Sequence, residues 1–298
     1  MEIPEGVGWT ALMTAYARAQ DSRRADALVD DPWARAVIAQ ATEADGGAHL
    51  PRLGPARDDG SSELWTSLGT YFVARTPFYD EHVLAGVGDG VDQVVLLAAG
   101  FDGRAQRLDL PSGTTVYEVD SGPVLDFKDA AVAGSAVRDG VDRRTVRVDL
   151  RDDWSGALVD AGFDPTRPAV WLAEGLFMYL DEAQSDRLLT TIGSLSAPGS
   201  RVATEWFERN PAGEASLVDR PDDQERLAGE MVGSLFRSGP PAPPREWLAA
   251  HGWDVVEVTD VGARAARHGR EVPWMFDPAH PDGLRVHLAA GRRPAAVR

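Results

Sequence analysis

Two residues in the middle of the chain have the types and the spacing to hold a nucleoside. Gly100 follows a continuous apolar run, and a glycine there lets the backbone turn sharply and come close to a ligand. Asp120 lies twenty positions further on, the interval at which an acidic residue meets ribose hydroxyls. A carboxylate suits this task because it accepts hydrogen bonds from both hydroxyls of a vicinal diol. The pair therefore predicts a ribose-binding site.

The neighbouring residues indicate which nucleoside is bound. A dinucleotide site needs three glycines and a pyrophosphate at a helix N-terminus. This loop has Ala98 in the first glycine position and Asp102 where a pyrophosphate would be repelled. S-adenosylmethionine carries no phosphate, and an acidic loop with one separate arginine matches its sulfonium, ammonium and carboxylate. The residues favour S-adenosylmethionine over NAD, although Gly100 could simply end a strand and Asp120 could cap a helix.

Arg75 is the separate arginine. Thr76 and Pro77 follow it, and a threonine before a proline is typical of a helix that begins at the proline. This pattern predicts a helix from residue 77 to about residue 86, with Arg75 just outside its N-terminus. A guanidinium and a helix N-terminus both attract anions, so we expect an anion-binding site there.

Strands and helices alternate along the middle of the chain, which is typical of a parallel sheet. Residues 94–98 form a continuous apolar run, like a strand that is buried on both faces. We predict further strands at residues 114–119, 145–148, 169–173, 201–204, 254–258 and 284–289, and helices between them at 123–136, 154–161, 181–195 and 246–251. The expected fold class is α/β, with a doubly wound, mostly parallel seven-stranded sheet.

The segments on either side of this core are predicted to be helical. Trp9, Leu12, Met13 and Tyr16 have the spacing of one helix face, and a second helix is expected at residues 32–40 with Asp31 as its N-cap. We expect one domain with an N-terminal helical cover and an insertion after the fifth strand. Its parts are a cover at residues 1–90, a cofactor-binding core at 91–206, a helical insertion at 207–250 and final strands at 251–298.

Composition restricts the partners. The chain has 298 residues, 43% of them hydrophobic, and a formal net charge of −17. Such an acidic surface repels nucleic acid and anionic membranes. There is no cysteine, which excludes disulfides and thiolate chemistry. Because no signal peptide or 20-residue apolar stretch is evident, we expect a soluble, cytoplasmic protein. Lys128 is the only lysine.

Several motifs in order resemble one family. Residues 94–108 and 116–120 resemble the leucine carboxyl methyltransferase-like family, in particular its actinobacterial members. Residues 10–24, 75–80, 148–150 and 173–180 are similar to further motifs of that family. The match covers most of residues 9–206 and becomes weak from residue 207. The resemblance implies the class I methyltransferase fold, S-adenosylmethionine as cofactor, and carboxyl methylation as the activity, in a setting such as secondary metabolism.

The resemblance also implies a role for each matching residue. Arg75 would pair bidentately with the cofactor carboxylate, Gly100 would lie under the methionine part, and Asp120 would hold the ribose. Asp149 would accept from the adenine amino group, and Leu150 would donate its backbone N–H or pack on the ring. Glu174 would lie near the ammonium. The family usually has a glycine at the position of Ala98 and a threonine at that of Gly103, so the methyl group of Ala98 is expected to restrict the approach of the cofactor.

The acceptor is less well defined by the sequence. Methyl transfer from a sulfonium is an in-line substitution that needs alignment and exclusion of water. A carboxylate acceptor is already ionised at neutral pH and needs no general base, so no catalytic residue is assigned. A hydroxyl acceptor would profit from a base, for which the unranked candidates are His82, His251, His268 and His287. No metal site is expected, because these histidines form no ligand pair.

Aromatic residues are candidates for the wall of the acceptor pocket, which we expect between the N-terminal helices and the insertion. They are Tyr16, Trp33, Phe72, Tyr79, Phe177, Tyr179 and Trp206. The leading hypothesis is an O-methyltransferase that acts on a carboxylate of a small metabolite or short peptide. A hydroxyl- or amine-directed methyltransferase and a catalytically silent cofactor-binding homologue stay open, as does the oligomeric state.

Overall fold

A seven-stranded sheet forms the centre of the protein. The computed structural model describes residues 7–44, 63–209, 230 and 233–294. The strands are β1 (Gln93–Leu97), β2 (Thr115–Asp120), β3 (Asp142–Arg147), β4 (Val170–Ala173), β5 (Arg201–Phe207), β6 (Asp254–Asp260) and β7 (Val286–Arg292). Their order is β3-β2-β1-β4-β5-β7-β6. The first five strands run parallel, and β7 lies antiparallel between β5 and β6. The predicted fold class is confirmed.

The sequence of the two central strands explains their position. Every residue of β1 and of β4 is buried, as expected for strands that are covered on both faces. β1 pairs with β2 on one side and with β4 on the other, so the strand order reverses between β1 and β4. In an open parallel sheet, this reversal leaves a crevice at the carboxyl ends of the strands, where ligands bind.

Nine helices cover the faces of the sheet in the described part of the chain. They are α1 (Val7–Asp21), α2 (Pro32–Ala44), α3 (Glu63–Gly88), α4 (Arg104–Arg107), α5 (Gly122–Ala131), α6 (Trp154–Asp160), α7 (Glu182–Ser194), α8 (Pro244–Ala250) and α9 (Val261–Arg267), with 3-10 turns at Phe177–Tyr179 and Trp274–Phe276. The predicted N-cap of α2 is confirmed, and α7 also has a side-chain cap. Asp31 accepts from the Ala34 N–H at 2.9 Å, and Asp181 forms a capping box with Gln184. No described helix is long and apolar enough to span a membrane.

The predicted helix start at Pro77 is wrong. α3 runs without interruption from Glu63 to Gly88 and contains Pro77 in its interior. The Thr76 hydroxyl donates to the Phe72 carbonyl one turn earlier, at 2.9 Å, instead of capping a new helix. A proline inside a helix costs about 3 kcal/mol, but α3 buries Ala74, Phe78 and other apolar side chains on most of its surface. Packing outweighs the local preference here, so Arg75 lies in the middle of a helix.

Other element boundaries also differ. β5 continues past the predicted end at residue 204 to Phe207, because it stays paired with β7 up to Phe207 opposite Val286. β3 begins three residues before its predicted start, paired with β2 from Thr115 opposite Asp142. Neither α4 nor α9 was predicted. Half of the expected insertion at residues 207–250 lies outside the described residues, so the division of the domain stays a prediction.

Four charged side chains of β2, β3 and α5 form ion pairs beneath the N-terminal cover; we call them the sealed ion cluster (Glu118, Lys128, Asp129 and Arg143). The Lys128 Nζ and the Arg143 Nη2 each lie 2.7 Å from the Glu118 Oε2, and the Arg143 Nη1 lies 2.8 Å from Asp129. The ring of Trp33 in α2 covers both cations, 5.5 Å from the Lys128 Nζ and 5.2 Å from the Arg143 Cζ. Glu118 and Lys128 are fully buried, so α2 closes these two charges from solvent, while the Asp129 side chain is 33% exposed.

Candidate cofactor site

A cavity of about 650 Å³ lies at the carboxyl ends of β1, β2 and β4, where the strand order reverses. Residues 96–102 form its floor, and the loops after β2 and β4 form its sides. α1 and α3 contribute Thr10, Thr14, Phe72 and Arg75 to its wall. All six residues that were predicted to bind the cofactor line this one cavity: Arg75, Gly100, Asp120, Asp149, Leu150 and Glu174.

The turn after β1 is held by Asp120. Its Oδ2 accepts from the Gly100 N–H at 2.8 Å, and its Oδ1 accepts from the Ser121 N–H at 2.6 Å. Gly100 adopts a left-handed conformation with φ 48°, and a Cβ there would lie 3.0 Å from the Cβ of Ala11. Burial raises the pKa of Asp120, and the two backbone N–H groups oppose that rise. The second lone pair of each carboxylate oxygen can accept a further hydrogen bond.

Ala98 has an unusual backbone conformation. With φ 50°, it is the one non-glycine residue in the described part of the chain with a positive φ. This conformation costs an alanine roughly 1–2 kcal/mol, because its Cβ approaches the following carbonyl oxygen. Ala98 lines the cavity. The expected limit that its methyl group sets on the approach of a ligand stays a prediction.

The guanidinium of Arg75 is buried and bordered by two carboxylates. Its Nε donates to Glu174 at 2.9 Å, and its Nη1 donates to both oxygens of Glu205, at 3.2 and 3.1 Å. Burial alone would lower the pKa of Arg75, but Glu205 and Glu174 outweigh it and raise the pKa. Nη2 has no hydrogen-bond partner among the described residues. An anion in the cavity can therefore be met by Nη2 alone, and the bidentate contact that was predicted would require Glu174 to release Nε.

Gly175 makes room for this guanidinium. Its φ is 67°, and a Cβ at this position would lie 3.1 Å from the Arg75 Nη2. The Gly175 N–H donates to Glu205 at 2.6 Å. The loop after β4 is thus tied to both Arg75 and β5, and it presents Glu174 to the cavity.

Seven charged side chains form a continuous network beside the cavity, which we call the cavity-side ion cluster (Arg75, Asp80, Asp102, Arg104, Arg107, Glu174 and Glu205). Arg104 joins its two halves, with Nε 2.7 Å from Asp80 and Nη1 2.8 Å from Glu174. Arg107 pairs with Asp80 at 2.6 Å, and Asp102 pairs with Arg104. Burial would raise the pKa of Asp102, but the Arg104 charge outweighs it and the pKa falls to about 2.

Asp149 and Leu150 lie at the other end of the cavity, after β3. The Asp149 carboxylate pairs with Arg151 at 2.6 Å, and the hydrogen bond from Arg151 lowers its pKa. Asp149 must turn from Arg151, or share its carboxylate, if it is to accept from an adenine amino group. Its assigned role, like those of the other five residues, stays a prediction.

The predicted acceptor residues are not all in one place. Phe72 and Tyr179 line the cavity. Tyr16 lines a separate cavity of about 490 Å³ between α1 and α3, to which Phe72 also contributes. The other four candidates line neither cavity: Trp33, Tyr79, Phe177 and Trp206.

Packing against other residues explains these placements. Trp33 covers the sealed ion cluster, and Tyr79 is fully buried with its ring 5.7 Å from the Arg104 Cζ. Phe177 packs edge-on against Trp247 at 4.9 Å. Trp206 lies 5.5 Å from the ring of His287.

Three residues of the site were missed. Tyr71 lines the cavity, and its ring lies 4.3 Å from the Arg75 Cζ; its place one turn before Arg75 was a usable signal. Glu205 was also detectable, as a single acidic residue within an apolar strand. Arg237 lines the cavity from a segment without a clear sequence pattern.

None of the four candidate histidines lines the cavity. His82 is buried in α3, and burial lowers its pKa to about 3. Burial also lowers the pKa of His268 and of His287, while His251 contacts the Trp247 carbonyl at 2.8 Å. Among the residues that the structure describes, no group of three or more His, Cys, Asp or Glu could hold a metal ion.

The strand order and the cavity together define a seven-stranded methyltransferase fold. Among solved structures, the chain is similar to a candidate methyltransferase from Thermobifida fusca, with a TM-score of 0.50 and 20% identity over 77% of this chain and 84% of that one. It is also similar to a DUF574 family protein from Streptomyces avermitilis, with a TM-score of 0.52 and 15% identity over 77% and 86% of the two chains. At these identities the likeness shows the fold.

The family is shown by sequence. The model of the leucine carboxyl methyltransferase family matches residues 11–193, and the chain belongs to that family. A candidate S-adenosyl-L-methionine-dependent methyltransferase from Mycobacteroides abscessus is 42% identical over 91% of each chain. A Saccharopolyspora erythraea protein named in the same way is 42% identical over 85% of each chain. The predicted class of enzyme, a methyltransferase that uses S-adenosylmethionine, is confirmed.

Proposed function

We propose that this chain transfers the methyl group of S-adenosylmethionine to a carboxylate of a small metabolite or a short peptide. One observation carries the choice of a carboxylate: among the described residues, the cavity wall has no group suited to act as a general base. A carboxylate is already an anion at neutral pH, so it can attack the methyl group without losing a proton. A hydroxyl or an ammonium must first be deprotonated.

The ionisable groups of the wall support this reading. The wall contains no histidine or lysine among its described residues. Glu174, Asp102 and Asp149 are held by arginines, and Asp120 holds two backbone N–H groups. Burial raises the pKa of Tyr71 and of Tyr179, so both phenols stay protonated at neutral pH.

The charged groups that line the cavity support this cofactor. Arg75 would bind its carboxylate and Glu174 its ammonium, while Gly100 would lie under the methionine part. Asp120 would accept from the ribose, and Asp149 and Leu150 would contact the adenine. S-adenosylmethionine supplies an electrophilic methyl group on a positively charged sulfur. These residues orient that methyl group and keep water away from it.

The acceptor side of the cavity is aromatic, which supports an acceptor with an apolar part. Tyr71, Phe72 and Tyr179 line the cavity together with Met178. Tyr179 stacks on Phe236 at 5.6 Å with an angle of 8° between the rings. Burial of an apolar part of the acceptor against these side chains would favour binding by roughly 25 cal/mol per Å² of apolar surface removed from water. The net charge of −17 argues against a nucleic acid as acceptor.

Transfer of a labelled methyl group from S-adenosylmethionine tests the proposal. The acceptors are a panel of aromatic and aliphatic carboxylic acids, each beside its alcohol and its amine. We expect label in the acids alone, as methyl esters that mild base releases. We also expect a rate that stays constant above the pKa of the acid. A base-stable product from an alcohol or an amine, with a rate that rises toward alkaline pH, would contradict the proposal. Cofactor binding with no turnover on any acceptor would support the silent homologue.

A further inference from the structure

The cavity-side ion cluster contains more negative than positive charge. Arg75, Arg104 and Arg107 supply three positive charges, and Asp80, Asp102, Glu174 and Glu205 supply four negative ones. Each carboxylate accepts from N–H donors, which favour its ionised form. Burial raises the pKa of Glu205, and the Arg75 charge opposes that rise. The cluster therefore has a net charge of −1. Since it is buried, this charge is poorly screened by solvent and salt.

The cofactor and its product differ by one charge at the reacting atom. S-adenosylmethionine has a sulfonium, an ammonium and a carboxylate, with a net charge of +1. S-adenosylhomocysteine has lost the methyl group together with the sulfonium charge and is neutral overall. A buried excess charge favours a ligand that neutralises it, so a cluster of charge −1 stabilises the cofactor more than the product.

We propose that the excess charge of the cavity-side ion cluster favours the cationic cofactor over the neutral product, and that Glu205 is the specificity-determining residue that supplies it. This inference rests on the proposed placement of the methionine part beside Arg75. Glu205 is 1% exposed and does not line the cavity. It lies behind Arg75, whose Nη1 contacts both of its oxygens. It adds charge without touching the ligand, unlike Glu174.

Glu205 also fixes geometry, and a test must separate its two roles. Its Oε1 accepts from the Gly175 N–H at 2.6 Å as well as from Arg75 at 3.2 Å. Glu205→Gln keeps the size of the side chain and a carbonyl oxygen for these donors, while it removes the charge. A purely structural role would change the affinity of all ligands alike. A role in charge selection changes the ratio of affinities.

The experiment is calorimetric titration with three ligands: S-adenosylmethionine, S-adenosylhomocysteine and sinefungin, which has an amine in place of the methylsulfonium and is cationic. In Glu205→Gln we expect the affinity for S-adenosylmethionine to fall about tenfold relative to that for S-adenosylhomocysteine, which corresponds to about 1.4 kcal/mol. Sinefungin should follow S-adenosylmethionine. Glu208→Gln is the matched control, because Glu208 is about half exposed, and its ratio should equal that of the wild type.

Arg107→Gln provides the opposite test. Arg107 belongs to the same cluster but does not line the cavity, and its loss makes the cluster charge −2. The affinity for S-adenosylmethionine relative to that for S-adenosylhomocysteine should then rise. If Glu205→Gln does not fold, the Arg107→Gln variant alone tests the inference. Equal changes for all three ligands in both variants would overturn the inference. Failure of all three ligands to bind the wild type would instead overturn the placement of the cofactor.

Discussion

The sealed ion cluster and the cavity-side ion cluster differ in access and in balance. The sealed ion cluster has two positive and two negative charges, joined by contacts of 2.7–2.8 Å under the ring of Trp33. The cavity-side ion cluster has one negative charge in excess and borders a cavity of about 650 Å³. The first lies where α2 packs on α5 and β2, and the second lies where three strands end.

The difference shows how buried charge can serve either the fold or a ligand. A buried pair contributes little net stability, since desolvation offsets its attraction, but removal of one partner is costly. In the sealed ion cluster each charge is met by another protein charge. In the cavity-side ion cluster the Arg75 Nη2 has no hydrogen-bond partner among the described residues, and the charge is unbalanced. We infer that unbalanced charge beside a cavity marks a binding site better than burial does.

The largest expected effect breaks the sealed ion cluster. Lys128→Met leaves Glu118 fully buried with Arg143 as its remaining ion-pair partner. We expect the free energy of unfolding to fall by about 3–5 kcal/mol, measured by urea denaturation. Arg138→Ala is the control, because its pair with Asp109 is exposed and is worth about 0–1 kcal/mol. A Lys128→Met variant as stable as this control would remove the distinction between the clusters.

The next effect is on binding. Arg75→Ala removes the guanidinium that borders the cavity, and we expect the affinity for S-adenosylmethionine to fall about 100-fold, the scale of a lost charge-assisted hydrogen bond. Arg75→Lys keeps the charge but loses the planar fork, so its loss should be smaller. Calorimetry on variants with native circular dichroism measures both. Arg107→Gln, from the same cluster, should keep wild-type affinity or exceed it. Equal losses from Arg75→Ala and Arg107→Gln would show that the cluster acts only through the fold.

A buried group without a counter-charge gives a third comparison. Burial lowers the pKa of His82 to about 3, and the positive charge of Arg201 contributes. Because the folded pKa is below the unfolded value of about 6.5, the unfolded chain binds the proton first as the pH falls. This loss of stability begins near pH 6.5 and is complete near pH 3.

Between pH 7 and pH 5 the loss from His82 is expected to reach about 2 kcal/mol. His82→Gln should abolish that part of the pH dependence, as followed by urea denaturation at each pH. His280→Gln serves as the control, because His280 is less buried than His82, and it should keep the pH dependence of the wild type. If the wild type and His82→Gln lose stability in parallel, His82 is not the group that titrates.

The smallest effect concerns the turn beneath the cavity-side ion cluster. Ala98→Gly removes a Cβ from a residue with φ 50°. This change relieves backbone strain of roughly 1–2 kcal/mol in the folded state. The greater conformational freedom of glycine in the unfolded chain offsets part of that gain in stability. We expect a net gain of about 0.5–1 kcal/mol in thermal unfolding. Gly100→Ala is the reverse change, with φ 48° and Ala11 only 3.0 Å from the new Cβ, and it should destabilise. A loss of stability in Ala98→Gly would mean that the alanine methyl contributes packing.

The sheet and the position of the cavity could be predicted because they depend on local signals. The continuous apolar run of β1 and the spacing from Gly100 to Asp120 are visible along the chain, and both are where the sequence indicated. Asp181 and Gln184 cap α7 through contacts only three residues apart.

What could not be predicted depends on contacts between distant residues. α3 continues through Pro77 because the surrounding helices and strands bury its faces. Glu205 meets Arg75 across 130 positions, and the fold alone brings them together. The candidate residues of the acceptor pocket were chosen because they are aromatic, but they lie in different environments. Tyr179 lines the cavity and Phe177 is in the core, and their positions in the sequence do not distinguish them.

The burial of Lys128 has a practical consequence for labelling the protein. It is the only lysine in the sequence, and there is no cysteine, so the folded surface offers neither a lysine amine nor a thiol to a reagent. The Nζ of Lys128 is closed beneath Trp33 and held by Glu118. An amine-reactive dye therefore reaches this side chain only when α2 separates from the sheet. The rate of its modification measures how often this part of the molecule opens.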